Sequence, residues 1–262
     1  MYYDVYSRQD IVDDFASRNH LTPAEVAALG EVWPLVRGDV LDVGVGGGRT
    51  TGYLQGVARS YRAQDISESM ADACRAIHPD ADVSVGDARS LATYPDNGFD
   101  LVLFSFNGID YIEHADRKQV LAAAYRVLRP GGAFVYSSHN LAVLDGRLPP
   151  VAPAPIVPTP DPIRMLVRSV RTLAARLRRR RNRKRLQDRQ YLADDHAVIN
   201  DESYDHSLLT VYVDPAAECE ALTAAGFVDT VTIDARGRRD PARHLDPWVY
   251  YVTRKPALRS CG

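Results

Sequence analysis

The residues Leu41-Asp42-Val43-Gly44-Val45-Gly46-Gly47-Gly48-Arg49 set a carboxylate two positions before the first of three alternate glycines. Glycine has no Cβ and tolerates positive φ, so such a turn lets a ligand approach the main chain closely. The spacing is not that of dinucleotide enzymes, because Gly-x-Gly-x-x-Gly counted from Gly44 would need glycine where Arg49 stands. What is present is Asp-x-Gly-x-Gly-x-Gly. A second acid, Asp65, closes Ala63-Gln64-Asp65-Ile66-Ser67, and a carboxylate placed there can accept both hydroxyls of a ribose. A third, Asp87, follows in Val85-Gly86-Asp87-Ala88. Each acid alone is ambiguous, with a helix N-cap as its bland alternative, and it is their order and spacing that point to one ligand.

These residues need elements to carry them. Val40 to Val43 is a short apolar run ending in glycines, Arg49 to Ala58 suits a helix, and Tyr61 to Ile66 is a second strand. Ser67, Met70, Ala71, Cys74 and Ile77 recur at helical steps, Val83 to Val85 is a third strand, and Phe99 to Phe104 reads as a buried parallel strand. An amphipathic helix from Asp116 to Leu128 and a fifth strand from Ala133 to Ser137 follow. Strands alternating with helices predict an α/β, doubly wound, Rossmann-like parallel sheet. The three acids then stand at the C-terminal ends of consecutive strands, the edge at which open α/β sheets bind ligands. Thr22-Pro23-Ala24-Glu25 marks a helix start in an N-terminal helical lead-in, 1–37.

The alternation stops at seven prolines between Pro149 and Pro162 and resumes with a strand at Leu208 to Val213, a helix at Pro215 to Ala225, and strands at Phe227 to Ile233 and Trp248 to Thr253. The expected organisation is a core of 38–140 and 205–254, an inserted segment 141–204, and a tail 255–262. With 262 residues and 45% hydrophobic composition, a single large core is expected. No secretory leader and no apolar run of membrane-spanning length are legible, so the expectation is a cytoplasmic protein. Cys74, Cys219 and Cys261 are odd in number and scattered, which suggests neither disulfides nor a metal site.

At this point the sequence resembles the class I S-adenosylmethionine-dependent methyltransferases. The resemblance rests on Val40 to Gly48, Gln64-Asp65-Ile66-Ser67, Gly86-Asp87-Ala88, Phe99 to Val102, and Val127-Leu128-Arg129-Pro130-Gly131-Gly132. It implies a seven-stranded sheet whose last strand, Trp248 to Thr253, is antiparallel, and S-adenosylmethionine as cofactor. Gly44 and Gly46 would face the methionine part, Asp65 the ribose, Ile66 the adenine face and Asp87 the adenine amino group. Phe104 and Ser105 would lie near the transferred methyl, with Asp42, Val45, Gly48, Met70 and Ala88 completing the cofactor set. Tyr2, Tyr3 and Tyr6 are placed either to close over the methionine tail or simply to pack. Around Phe104 to Ile112 the chain also looks similar to sugar-biosynthesis N-methyltransferases and natural-product methyltransferases.

Methyl transfer from a sulfonium is an in-line displacement at an already activated carbon, so alignment and desolvation of the nucleophile matter most. A hydroxyl or ammonium acceptor also benefits from a base near neutral pKa. His139 is the base candidate by position, with Asp110 and Tyr111 as substrate contacts; His196 and His206 rank below it. The expected acceptor is a small molecule methylated at oxygen or nitrogen. A peptide or RNA acceptor, and a catalytically silent partner protein, are the alternatives.

Charge is concentrated in one segment. Arg164 to Arg189 holds twelve basic residues against Asp188, a local +11 that leaves −13 for the rest of a chain of net −2. Ile163, Leu166, Val167, Val170, Leu173 and Leu177 recur at three- and four-residue steps, which predicts an amphipathic lid helix with its apolar side packed on the domain and its arginines outward. For Arg178 to Arg185 the uses in competition are a solvated run, capture of an anionic acceptor, and contact with nucleic acid or an anionic membrane. The −13 elsewhere disfavours a long polyanion.

Overall fold

The computed structural model describes residues 5–146, 160–202, 204–241 and 243–258. Tyr2, Tyr3, Cys261 and most of the proline-rich run lie outside them.

Chain order is α1 Gln9–Ser17, α2 Pro23–Glu31, α3 Trp33–Val36, β1 Asp39–Val43, α4 Thr51–Leu54, β2 Ser60–Asp65, α5 Glu68–Ile77, β3 Asp82–Val85, β4 Phe99–Phe104, α6 His114–Val127 and β5 Leu128–Asn140. There follow α7 Pro162–Leu186, β6 Tyr191–Leu192, β7 His196–Ile199, β8 Thr210–Val213, α8 Pro215–Ala224, β9 Val228–Asp234 and β10 Trp248–Arg254. Helix starts follow local chemistry. At α2 the Thr22 hydroxyl accepts from Glu25 N–H while the Glu25 carboxylate accepts from Thr22 N–H, with Pro23 at the first helical position. Ser67 caps α5 and Asp214 caps α8.

The sheet runs β3-β2-β1-β4-β5, with all four pairings parallel. β10 then pairs antiparallel with β5 and with β9. This is the Rossmann-like arrangement expected from the alternation, with the last strand reversed. Central strands are buried on both faces, so neighbouring residues feed opposite layers. Leu41, Val102, Phe134 and Tyr251 pack toward α6 and α8, whereas Val40, Leu101, Ala133 and Tyr250 pack toward α2 and α5.

Several elements differ from the sequence reading. The helix expected from Arg49 to Ala58 is the single turn α4, because Gly44, Gly46 and Gly48 hold positive φ and the loop extends to Thr50. β5 is longer than Ala133 to Ser137 and outreaches β4. Its last residues, His139 and Asn140, pair with β8, and β8 pairs antiparallel with β7, which pairs with β6. The strand near Leu208 therefore continues the parallel set from the tip of β5, and β7 and β6 add an antiparallel edge beyond it.

The largest difference concerns α7. Its apolar stripe faces solvent: Leu166 is 66% exposed, Val170 60%, Leu173 58% and Leu177 58%. The face turned to the body carries half-buried Met165, Ser169, Thr172, Ala175, Arg179 and Asn182. Arg178 and Arg179 clamp Asp205 at 2.5 and 2.9 Å, Asn182 donates to the Asp205 carbonyl, and Leu186 enters a cluster with Val198, Leu209, Val211 and Val213. Specific polar contacts dock the helix, so the expected packing of its apolar side is reversed.

Candidate functional site

A cavity of about 400 Å³ opens at the C-terminal ends of β1, β2, β3 and β4. Its floor is the glycine loop. Gly44 at φ 65° and Gly46 at φ 55° turn the chain tightly. A Cβ on Gly44 would stand 2.6 Å from the Phe104 ring, so a glycine is needed there for conformation and for space.

Asp65, at the end of β2, accepts from Gly46 N–H through Oδ2 and from Ser67 N–H through Oδ1, each at 2.9 Å. Burial pushes its carboxyl above the usual carboxylate range, and the backbone donors pull the other way. It is thus a fixed acceptor on the cavity wall. Next to it, Gln64 also borders the cavity, and neither the nitrogen nor the oxygen of its buried carboxamide is hydrogen-bonded. A buried amide without partners is costly, and one beside a cavity can be satisfied by a bound ligand's donors and acceptors. Across the cavity Asp87 is held by Arg89, whose Nη2 reaches Oδ2 at 2.6 Å and whose Nη1 reaches Asp116 at 2.8 Å. Burial raises the Asp87 carboxyl, but the hydrogen bonds and charge of Arg89 leave it below its ordinary value. Tyr6 covers the cavity from the N-terminal side, its ring edge-on to Phe15, Tyr111 and Tyr204 at 5.7 to 6.2 Å.

The fold gathers Tyr6, Gly44, Gly46, Asp65, Ile66, Met70, Asp87, Ala88, Phe104, Ser105 and Tyr111 around this cavity. Five expected residues stand elsewhere. Asp42 is buried beneath the loop, where its Oδ2 accepts from Thr50 at 2.5 Å and Tyr61 at 2.8 Å. Burial pushes its carboxyl up to about 6. Asp42 holds the loop from below rather than facing the cavity. Val45 packs into the core under the sheet, and Gly48 abuts Cys74 and His78, with its carbonyl bonded to the His78 ring.

Asp110 is fully buried and His139 lies outside the cavity lining. Asp110 Oδ2 accepts from both the backbone N–H and the ring Nδ1 of His139 at 2.7 Å, and Oδ1 accepts from Arg117 and Ser138. Arg117 also reaches Glu218 at 2.6 Å. Burial alone would lower the His139 pKa, but the Asp110 carboxylate more than offsets it, and the imidazole sits above its ordinary value.

Sequence reasoning missed Gln64, Phe15, Arg89 and Asp116. A polar side chain one residue before Asp65 in a buried strand was the available signal for Gln64. Arg49, which breaks the dinucleotide spacing, forms a two-pronged bridge to Glu25 at 2.5 and 2.7 Å, and Glu25 also accepts from the Ser105 hydroxyl. The loop, α2 and the end of β4 are locked together through that bridge. Among the described residues no group of metal-ligating side chains is assembled.

The family described as a methyltransferase domain matches residues 40–132. Those residues run from β1 through the start of β5 and contain the glycine loop, Asp65 and Asp87. A probable S-adenosylmethionine-dependent methyltransferase of Mycolicibacterium smegmatis is 34% identical over 117 residues, 44% of this chain and 44% of its own length. A demethylmenaquinone methyltransferase of Renibacterium salmoninarum is 30% identical over 140 residues, 53% of this chain and 57% of its own. The chain thus spans about half the length of the curated relatives it matches. Beyond residues 40–132 the fold itself is shared. A methyltransferase of Streptomyces caelestis superposes with TM-score 0.59 at 19% identity, covering 97% of this chain and 98% of that one. The 1,6-didemethyltoxoflavin N1-methyltransferase of Burkholderia thailandensis, solved with 1,6-didemethyltoxoflavin and S-adenosylhomocysteine bound, gives 0.56 at 16% identity over 97% and 89%.

Proposed function

We propose that this protein is an S-adenosylmethionine-dependent methyltransferase that methylates an oxygen or nitrogen of a small-molecule acceptor. The observation that carries the reading is the cavity itself, where the glycine loop, the fixed Asp65 carboxylate and the unpartnered Gln64 amide converge at the C-terminal edge of the sheet. Asp65 is suited to ribose hydroxyls, Gln64 and Asp87 to polar edges of an adenine, and Gly44 and Gly46 to the approach of the methionine part. When bound, the cofactor supplies a methyl on sulfonium sulfur. The chain's own contribution is alignment and exclusion of water: Phe104, Ile112 and Met70 supply apolar wall, and the Tyr6 and Tyr111 rings close one side.

His139, at the end of β5 and outside the cavity lining, is the proposed base for an acceptor bound beside the cofactor cavity. Asp110 fixes its Nδ1–H, which leaves Nε2 as the proton acceptor, the geometry that holds an imidazole in one tautomer. Because its pKa is raised and the base must be neutral, turnover should climb as pH passes above the ordinary histidine value of about 6.5. In His139→Gln this rise should disappear with cofactor affinity retained; a pH profile identical to that of the wild type would remove His139 from the reaction.

The cofactor assignment is tested by calorimetry with S-adenosylhomocysteine. The wild-type protein should bind it, and Asp65→Ala should weaken binding roughly 10- to 100-fold, the range for hydrogen bonds to a charged group. No heat of binding with wild type at any concentration would overturn the assignment.

A further inference from the structure

The outward face of α7 (Pro162–Leu186) is unlike the rest of the surface. Leu166, Val170, Leu173 and Leu177 follow one another at steps of four, three and four residues, all more than half exposed, and Val167 is 44% exposed beside them. Single exposed apolar residues are ordinary, whereas a contiguous stripe on one helix is not. The same row continues at steps of four and three into Arg181 and Lys184, with Arg180 and Arg185 exposed on either side. One face therefore passes from apolar to strongly cationic along a helix roughly 37 Å long.

We propose that α7 docks this protein on an anionic lipid surface, lying in the plane of the interface. The occupant is chosen by chemistry. A bilayer surface offers acyl chains to the stripe and phosphates to the guanidinium groups in one plane, which is how amphipathic cationic helices partition. A polynucleotide would use the arginines and leave the stripe in water. A second copy would cover the stripe but bring another +11 segment against the first. No helix among the described residues is long and apolar enough to cross a membrane, so this contact is peripheral.

The way α7 is held supports the same reading. Its inward side is fastened by ionic contacts to Asp205, leaving the apolar side free for another medium. Asp205 follows Tyr204, whose ring packs on Tyr6 and Phe15 at the cavity. The docking helix is thereby tied to the residues that cover the cavity.

Co-sedimentation with vesicles tests the proposal without reference to catalysis. The full chain should sediment with vesicles containing phosphatidylglycerol and not with phosphatidylcholine alone, and more strongly at low ionic strength. The double variant Val170→Asp with Leu173→Asp, and separately the variant Arg180→Gln, Arg181→Gln, Lys184→Gln, Arg185→Gln, should each lower partitioning at least roughly tenfold. All six positions are exposed, so thermal unfolding should be unchanged, and the charge variant keeps the test valid should the stripe variant unfold. Failure of the wild-type chain to bind anionic vesicles at low salt overturns the proposal. So does vesicle binding that neither variant reduces. A lipid-free dimer that the stripe variant dissociates, without vesicle binding, assigns the face to a second copy instead. RNA binding indifferent to the stripe variant, in a chain that ignores vesicles, assigns the arginines to nucleic acid.

Discussion

Gln64 carries a cost that a bound ligand would remove. Both polar atoms of its carboxamide are buried without hydrogen bonds, and Gly86 lies so close that a Cβ there would meet Gln64 Oε1 at 2.6 Å. A residue kept for stability would not be left in that condition. Gln64→Leu should leave the ligand-free protein as stable as wild type, or more so by about 1 kcal/mol, while weakening S-adenosylhomocysteine binding about tenfold. Unchanged affinity in calorimetry would remove Gln64 from the cofactor site. Asp42 is the converse: its two donors, Thr50 and Tyr61, are already in place, so its carboxylate is part of the loop's support. Spacing alone singled out both Asp42 and Asp65, and nothing in the sequence separates the acid under the loop from the one on the wall.

At the scale of elements, the junction that shapes the far side of the site is Arg117. From α6 it bridges Asp110 on the turn after β4 and Glu218 on α8, at 2.8 and 2.6 Å, and it also reaches Ser138 on β5. Arg117 and both carboxylates are buried, so truncation leaves two acids without a counter-ion in a poorly solvated place. Arg117→Ala should cost about 3–5 kcal/mol in urea unfolding, in line with other broken buried ion pairs. A loss under about 1 kcal/mol would mean that the network relaxes and is not what holds the α6, β5 and α8 ends together. The sequence shows an arginine in the first turns of an amphipathic helix; the partner, one hundred and one residues away, is visible only after folding.

At the scale of the whole molecule, two regions divide the work. The parallel sheet with its glycine loop positions the cavity, and the material between β5 and β8 adds the antiparallel strands and α7. The vesicle experiment belongs here, because it asks whether the outward face of α7 orients the entire molecule against a surface. The local charge of +11 against −13 elsewhere makes the expected attraction one-sided, so it should fade with salt.

The sequence by itself determined the sheet, its ligand-binding edge and the order of Gly44, Gly46, Asp65 and Asp87 along it. Those follow from period-two and helical spacing and from turn chemistry, which act over a few residues. Only the tertiary structure decided which acid faces the cavity, that His139 is clamped by Asp110, and that β8 sits on the tip of β5. It also turned the apolar stripe of α7 to solvent. An amphipathic pattern says that a helix has two unlike faces, not which one the body receives. Here the ionic clamp on Asp205 and the burial of Leu186 fixed the polar side inward.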